Sequence, residues 1–327
     1  MRLSIAEAHD LVSRVMRSFD YDAQGAGLTA DHLIDCELRG LSYGGLARAI
    51  SIAEHLQQTG NRRRPIAVLQ ETPVSARLDG GDHIGYVVAH RAMQIAIDKA
   101  SASGIAMVGA NNTWYTGMLS YFAEMAAARE LVSMIASNTT PWVAPHGGSE
   151  GRYGTNPICF GFPSHGDPVI WDIGTSATTH AEVVLAGRRG EQIPEGRAFD
   201  PDGHPTRDPA AALAGAFAPW AEHRGSGLGL VVQMLGMLAG SPAMPAQLED
   251  FGILIVAMKP DLLVPLADFK DNIADYAEAV RNTRPVEGGE PVRMPFDRSA
   301  AERRRRRAEG FIDIDDAVHA RLLEIAG

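Results

Sequence analysis

Along the first 60 residues apolar side chains recur at helical spacing. In MRLSIAEAHDLVSRVMRSFD, Ile5, Ala8, Leu11, Val12, Val15 and Met16 share one face, which predicts a helix near 4–20. TADHLIDCELRGLSYGGLARAISIAEHLQQTG predicts more helix, with Thr29 as N-cap, Gly60 as stop and a break at RGLSYGG. PIAVLQET (65–72) has the short β-rich pattern of a strand, and RLDGGDHIG reads as a turn cluster. YVVAHRAMQIAIDKASASG returns to helical spacing, with Val87, Val88, Ala92, Met93, Ile95, Ala96 and Ile97 making a broad apolar face.

Beyond residue 104 the pattern predicts a strand (IAMVGA), a polar loop holding Trp114, Tyr115 and Thr116, a helix (GMLSYFAEMAAARE) and three strands, LVSMIASN, PICFGFP and PVIWDIGTSA. A loop rich in Gly, Pro and Asn fills 139–156, and a long polar segment covers 187–210. HRGSGLGLVVQMLGMLAGS is a Gly-rich element, followed by a strand (FGILIVAMK), an acidic helix near 264–282 and a basic helix near 298–309. No internal repeat occurs. The fold class expected is α/β (mixed α+β).

Composition changes this picture little. With 45% apolar and 21% charged residues, the 327-residue chain has the make-up of an ordinary soluble globular protein of two or three domains. A formal charge of −10 argues against nucleic-acid binding, which calls for a broad basic surface. Cys36 and Cys159 are too few for a disulfide framework or a four-thiolate zinc site, which points to a reducing compartment. The acidic residues inside the first amphipathic stretch do not suit a signal peptide, and no apolar run approaches the roughly 20 residues that cross a bilayer, so the expected location is the cytoplasm.

The candidate chemistry is sparse. Arg39 and Arg48 flank the glycine-rich bend, where a guanidinium fork could hold a carboxylate, although the plainer reading is two solvated helix arginines. GSGLGL (225–230) resembles part of a dinucleotide loop, but no strand precedes it, so close packing of a Gly-rich helix is the better explanation. Asp172, Thr175 and Ser176 form a polar cluster at a strand end that could receive phosphate or ribose oxygens. His180, nearby, reads as a surface or satisfied histidine, and no His, Asp or Glu grouping has metal-ligand spacing. The five arginines at 303–307 point all round a helix, so most face solvent; one or two could grip an adenosine 2′-phosphate, which favours NADP.

Taken together, RGLSYGGLAR, LDGGDHIGYVVAHRAMQIAIDKASASGIAMV, SNTTPWVAPHGGSEGRYGTNPICFGFP, VIWDIGTSA, IPEGRAFDPDGHPTRDPAAAL, HRGSGLGLVVQMLGMLAG and ERRRRRAEGFIDID resemble the malate/L-lactate dehydrogenase family that lacks a Rossmann fold. That family includes ureidoglycolate and sulfolactate dehydrogenases, diketogulonate reductase and Δ1-piperideine-2-carboxylate reductases. The resemblance implies a non-Rossmann NAD(P)H-binding fold in a homodimer, with a helical, substrate-side domain from residues 1–75 and 255–327 and a mixed-sheet cofactor domain from 76–254. It implies cofactor contacts at Gly154, Thr155, Asn156, Asp172, Thr175, Ser176, His223, Arg224 and Gly225, with Arg303 or Arg304 added from the basic helix; family members usually carry Lys where Arg224 stands. Arg48 would hold the substrate carboxylate, with Tyr43 and Tyr115 in the catalytic positions; Trp114, Thr116 and Met118 are candidates to line the substrate, the alternative for Trp114 being a core anchor beside an apolar helix.

Both family histidines are replaced. One aligns with Tyr115, the other with Gly44, where Tyr43 also replaces a serine. Hydride reduction of a ketone yields an alkoxide that needs a proton, a role suited to histidine; tyrosine, with a reference pKa of about 10, donates only if its phenolate is steadied. A protonated imine yields a neutral amine and needs no acid in that step. The sequence therefore favours NADPH-dependent C=N reduction of a small carboxylate-bearing substrate. The alternatives are a 2-oxo acid/2-hydroxy acid dehydrogenase, a protein that binds the cofactor without catalysis, and a cleft repurposed for lyase chemistry.

Overall fold

Ser4 and Glu7 open the first helix with reciprocal hydrogen bonds, Glu7 N donating to the serine hydroxyl and Ser4 N to the glutamate carboxylate. In the computed structural model, which describes all 327 residues, strand β1 (Arg2–Ser4) leads into α1 (Ile5–Arg17), and α2 (Ala23–Leu38) follows. Asp22 caps α2, accepting from Gly25 N at 2.7 Å. Thr29 is thus no cap: it lies inside α2 and gives its hydroxyl to Gly25 O. After the expected break, α3 (Leu46–Thr59) stops at Gly60.

Next come β2 (Ala67–Thr72), β3 (Ser75–Ile84), α4 (Gly85–Ser103), β4 (Ile105–Trp114), α5 (Leu119–Ala127), β5 (Val132–Ser137), β6 (Ile158–Phe162) and β7 (Val169–Ile173). The supposed turn cluster RLDGGDHIG is the body of β3, because parallel pairing with β4 supplies the backbone partners that local turn preference ignores; the register shift between Asp79 and His83 absorbs its glycines. For the same reason Asn111–Trp114, expected in a loop, extends β4, paired with β3 on one side and β11 (Phe251–Met258) on the other. The polar segment at 187–210 holds the end of α6 (His180–Arg189), two short strands, β8 (Ala198–Phe199) and β9 (Pro205–Thr206), and the start of α7 (Pro209–Ala214). β10 (Ala216–Phe217), α8 (His223–Leu238), α9 (Leu266–Arg281), α10 (Asp297–Glu309), β12 (Phe311–Asp313) and α11 (Asp316–Ala326) complete the chain.

Seven strands form one sheet in the order β2-β3-β4-β11-β5-β6-β7, antiparallel except for β3 and β4, which α4 connects. Adjacent side chains point to opposite faces. Ile135 joins the layer under α4 and α5, with Val88, Ala92, Phe122 and Ile255, whereas Ala136 meets Val232 of α8 on the other face. The Gly-rich reading of α8 as a packing helix holds: a Cβ at Gly229 would lie 2.4 Å from the Tyr153 ring and one at Gly236 2.2 Å from Asn138.

The chain ends build a separate helical core. β1 pairs antiparallel with β12, and Leu11, Val15, Leu33, Ile52, Ile312 and Leu322 pack together. The sequence boundaries need correction, because β2 is a strand of the sheet and β11 runs across residues 254 and 255.

Candidate functional site

Four elements meet around a cavity of about 720 Å³, a size suited to small-molecule and cofactor sites. The bend into α3 supplies Tyr43, Gly44 and, from the first turn of the helix, Arg48; the β4–α5 link supplies Tyr115, Thr116 and Met118; the wall made by the β5–β6 loop and the end of β7 supplies Trp142, Thr155, Asp172 and Gly174; and the first turn of α6 supplies His180.

The β4–α5 link is held from three sides. Thr116 donates from its hydroxyl to Ser137 Oγ at 3.0 Å, and Met118 N donates to His32 Nε2 at 2.9 Å. Gly117 has φ +74°, and a Cβ there would fall 2.4 Å from both His32 Nε2 and the Tyr86 ring, so only glycine passes. Asp172 accepts from Ser120 N at 2.7 Å and so caps α5 from a neighbouring strand. Burial raises its pKa, with the bonds from Ser120 opposing. Tyr115 has φ +49°, a left-handed backbone that is strained for an aromatic residue.

Arg48 is buried, contrary to the solvated reading. Its guanidinium carbon stands 4.5 Å from the Tyr115 ring centroid, and Nη1 has no hydrogen-bond partner. Arg39 is buried too, but structurally: it pairs with Asp35 at 2.6 Å and with Glu124, and lies over the Phe296 ring. Burial raises the Tyr115 pKa while the Arg48 charge and then that of Arg188 oppose it; burial likewise raises that of Tyr43.

His180 was passed over in the sequence. Its ring stacks on Trp142 (centroids 4.2 Å apart, planes 17°) and lies 6.3 Å from the Tyr115 ring. Burial, then Arg48 and Arg188, lower its pKa to about 3, so it is uncharged near neutrality. The pocket therefore does contain an imidazole, presented by α6 and not by either motif where the family's histidines align. Only the capping signal THAE, which fixes the start of α6, hinted at it: Glu182 N donates to the Thr179 hydroxyl and Thr179 N to the Glu182 carboxylate.

The remaining expected residues divide. Thr155 and Asp172 line the cavity, whereas Trp114 does not; it is 1% exposed in the helical core and gives its indole N–H to Asp82 O. Gly154, Asn156 and Thr175 brace the wall: Gly154 N and Asn156 Nδ2 donate to Gln233 Oε1, Asn156 Nδ2 also to Gly229 O, and the Thr175 hydroxyl to Thr155 O. The Ser176 hydroxyl is given to Thr178 O. His223 and Arg224 are exposed at the start of α8, where Gly225 packs on Trp220 O. Arg303 is not free for a phosphate, since it forks onto Glu124 (2.5 and 2.8 Å) and reaches Asp35. Arg304 pairs with Asp167 on the wall of a second cavity of about 1090 Å³, rich in arginine, which shares Arg293 and Arg298 with the first. Asp200, Asp202 and His204 cluster away from the cavity, which their sequence spacing did not suggest.

Residues 3–323 match the family model for malate/L-lactate dehydrogenase. An L-sulfolactate dehydrogenase of Methanothermobacter thermautotrophicus is 32% identical over 336 residues, covering 100% of this chain and 96% of its own. Among solved structures, a dehydrogenase from Sinorhizobium meliloti superposes with a TM-score of 0.92 at 30% identity, covering 100% and 98% of the two chains. A Δ1-piperideine-2-carboxylate reductase from Pseudomonas syringae gives a TM-score of 0.83 at 26% identity, covering 99% of each. Matches that run almost from end to end, over a cavity built from those same segments, establish that this chain is an oxidoreductase of the malate/L-lactate dehydrogenase family.

Proposed function

We propose that the protein transfers hydride between a nicotinamide dinucleotide and a small carboxylate-bearing substrate, with C=N reduction the favoured reaction. The observation that carries this reading is Arg48: a buried guanidinium that lines the cavity over Tyr115 and forms no ion pair with the protein. An unpaired buried charge is costly, and a substrate carboxylate relieves it through paired hydrogen bonds.

The residues present fit the dinucleotide. GTNP and DIGTS are tied to each other through Thr175 and to the middle of α8 through Gly229 and Gln233, which makes one braced wall beside the cavity. Thr155, Asp172 and Gly174 would line its nicotinamide end, and the second cavity would take the phosphate end if Arg304, Arg305 and Arg306 exchange Asp167, Glu302 and Glu309 for it, which favours NADPH over NADH. When bound, the dinucleotide supplies or accepts the hydride.

The proton supply favours the imine. Tyr115 is held as a phenol and His180 as a neutral imidazole, so neither is a ready acid near neutrality, and a protonated imine needs none. The Pseudomonas relative is named for reduction of a cyclic imino acid. The second reading, 2-oxo acid reduction, rests on the name of the sulfolactate dehydrogenase. Purified protein assayed side by side with NADPH and NADH on cyclic imino acids and on 2-oxo acids decides between them: imine turnover is expected, and turnover of oxo acids alone would overturn the preference.

The exposed apolar face of α8 (Leu230, Val231, Met234 and Leu238) supports a homodimer, to be checked by light scattering. No helix is long and apolar enough to cross a membrane.

A further inference from the structure

We propose that His180 is a substrate-contacting catalytic residue, accepting a hydrogen bond from the N–H of the reacting C–N group while Arg48 holds the substrate's carboxylate. This rests on the reading above and assigns a role to a group that no motif of the sequence singled out.

The geometry is that of a presented side chain. Thr179 and Glu182 lock the first turn of α6, and stacking on Trp142 fixes the plane of the His180 ring. The ring then lies along the cavity with Arg48 and Tyr115, the two rings 6.3 Å apart. Nδ1 is enclosed and has no protein partner, whereas Nε2 is accessible and takes part in no protein hydrogen bond, so Nε2 is the atom the fold leaves for a substrate.

Two charged neighbours on α6 are otherwise engaged. Glu182 turns back to Thr179 N and the Thr178 hydroxyl, and Arg188 donates to Ala47 O and to Glu54. Both arginines near the ring, Arg48 and Arg188, oppose its protonation, as burial does, so His180 meets the substrate as a neutral acceptor. Once a carboxylate has paired with Arg48, an imine N–H⁺ is the donor that complements such a ring. In reduction the hydride adds to carbon, the C=N π electrons pass to nitrogen, and the N–H is retained, so His180 orients the bond without giving up a proton. In the reverse direction the neutral amine loses hydride to the oxidised nicotinamide and the same N–H stays on the ring nitrogen's lone pair.

The test compares L-proline with tetrahydrofuran-2-carboxylate, two ring carboxylates that differ in the presence of N–H. Calorimetry of the intact protein with NADPH bound is expected to show proline favoured by roughly tenfold or more, the scale of one hydrogen bond to a charged group. His180→Phe, which keeps an aromatic ring on Trp142, should remove that preference and lower imine turnover, whereas Arg48→Met should weaken both ligands alike. If His180→Phe does not fold, His180→Gln carries the comparison, with the preference reduced. A preference that survives replacement of His180, or is absent from the wild type, overturns the inference and leaves the Arg48 reading standing. Binding of both ligands unaffected by Arg48→Met, or binding of neither by the wild type, overturns the reading beneath it.

Discussion

His32 Nε2 accepts a hydrogen bond from Met118 N at 2.9 Å, and its ring lies flat on Tyr86, with centroids 4.2 Å apart. The bond requires an unprotonated Nε2, so the position of the link bearing Tyr115 depends on the charge state of a histidine in α2. Burial is the main cause that brings the His32 pKa to about 3, with Asp35 opposing it.

Stability should therefore fall in mild acid. His32 and His180 both have folded pKa values of about 3 against 6.5 for the free side chain. As pH drops through 6.5 the unfolded chain takes up these protons first, and the loss of stability grows until about pH 3, with a slope of up to about 1.4 kcal/mol per pH unit for each histidine. Urea unfolding at pH 7 and 5 checks this. His32→Gln, which keeps an acceptor for Met118 N, should flatten the dependence, and an equal slope in that variant would mean that other groups govern it.

Arg48→Met should raise KM for a carboxylate substrate by roughly 10- to 100-fold. It also removes a buried charge that has no protein partner, so the melting temperature should hold or rise. A fall in melting temperature with KM unchanged would mean that Arg48 serves the fold.

Tyr115→Phe separates the two reactions. An alkoxide needs a proton and a protonated imine does not, so any 2-oxo acid turnover should drop by roughly 10² while imine reduction changes far less. Steady-state rates on both substrate classes read this directly, and equal losses on the two would place the hydroxyl in substrate binding.

Arg39→Met should cost about 3–5 kcal/mol, because it strips a fully buried cation from Asp35 and Glu124 and leaves Arg303 as their near partner. Denaturant midpoints measure the loss. A neutral result would show that Arg303 can take over both carboxylates.

Local pattern was enough to place α1, α3, α4 and most strands, each of which buries one face of its own periodic sequence, while α8, α9 and α10 were legible from their glycine-rich, acidic and basic make-up. It was not enough where tertiary pairing overrides local preference. The glycines of β3 look like a turn until β4 is laid beside them, and Thr29 looks like a cap until Asp22 is seen to fill that role. α11, short and weakly patterned, was not anticipated. In the site, motif order brought Arg48, Tyr43, Tyr115, Thr116, Met118, Thr155 and Asp172 to one cavity. Trp114 went to the core because a large aromatic ring at a strand end is better buried than displayed. The surroundings of Arg303 and His180 were not legible for one reason: the residues they meet, Glu124 and Trp142, are remote in sequence.

The antiparallel pairing of β1 with β12 has a consequence for how the protein is made. Ile312, Ile314 and Leu322 belong to the same core as α1, α2 and α3, so the first helices bury their apolar faces in full only once residues 311–322 have been made. The sheet can form earlier, and the wall that bears Arg48 is then the last to settle.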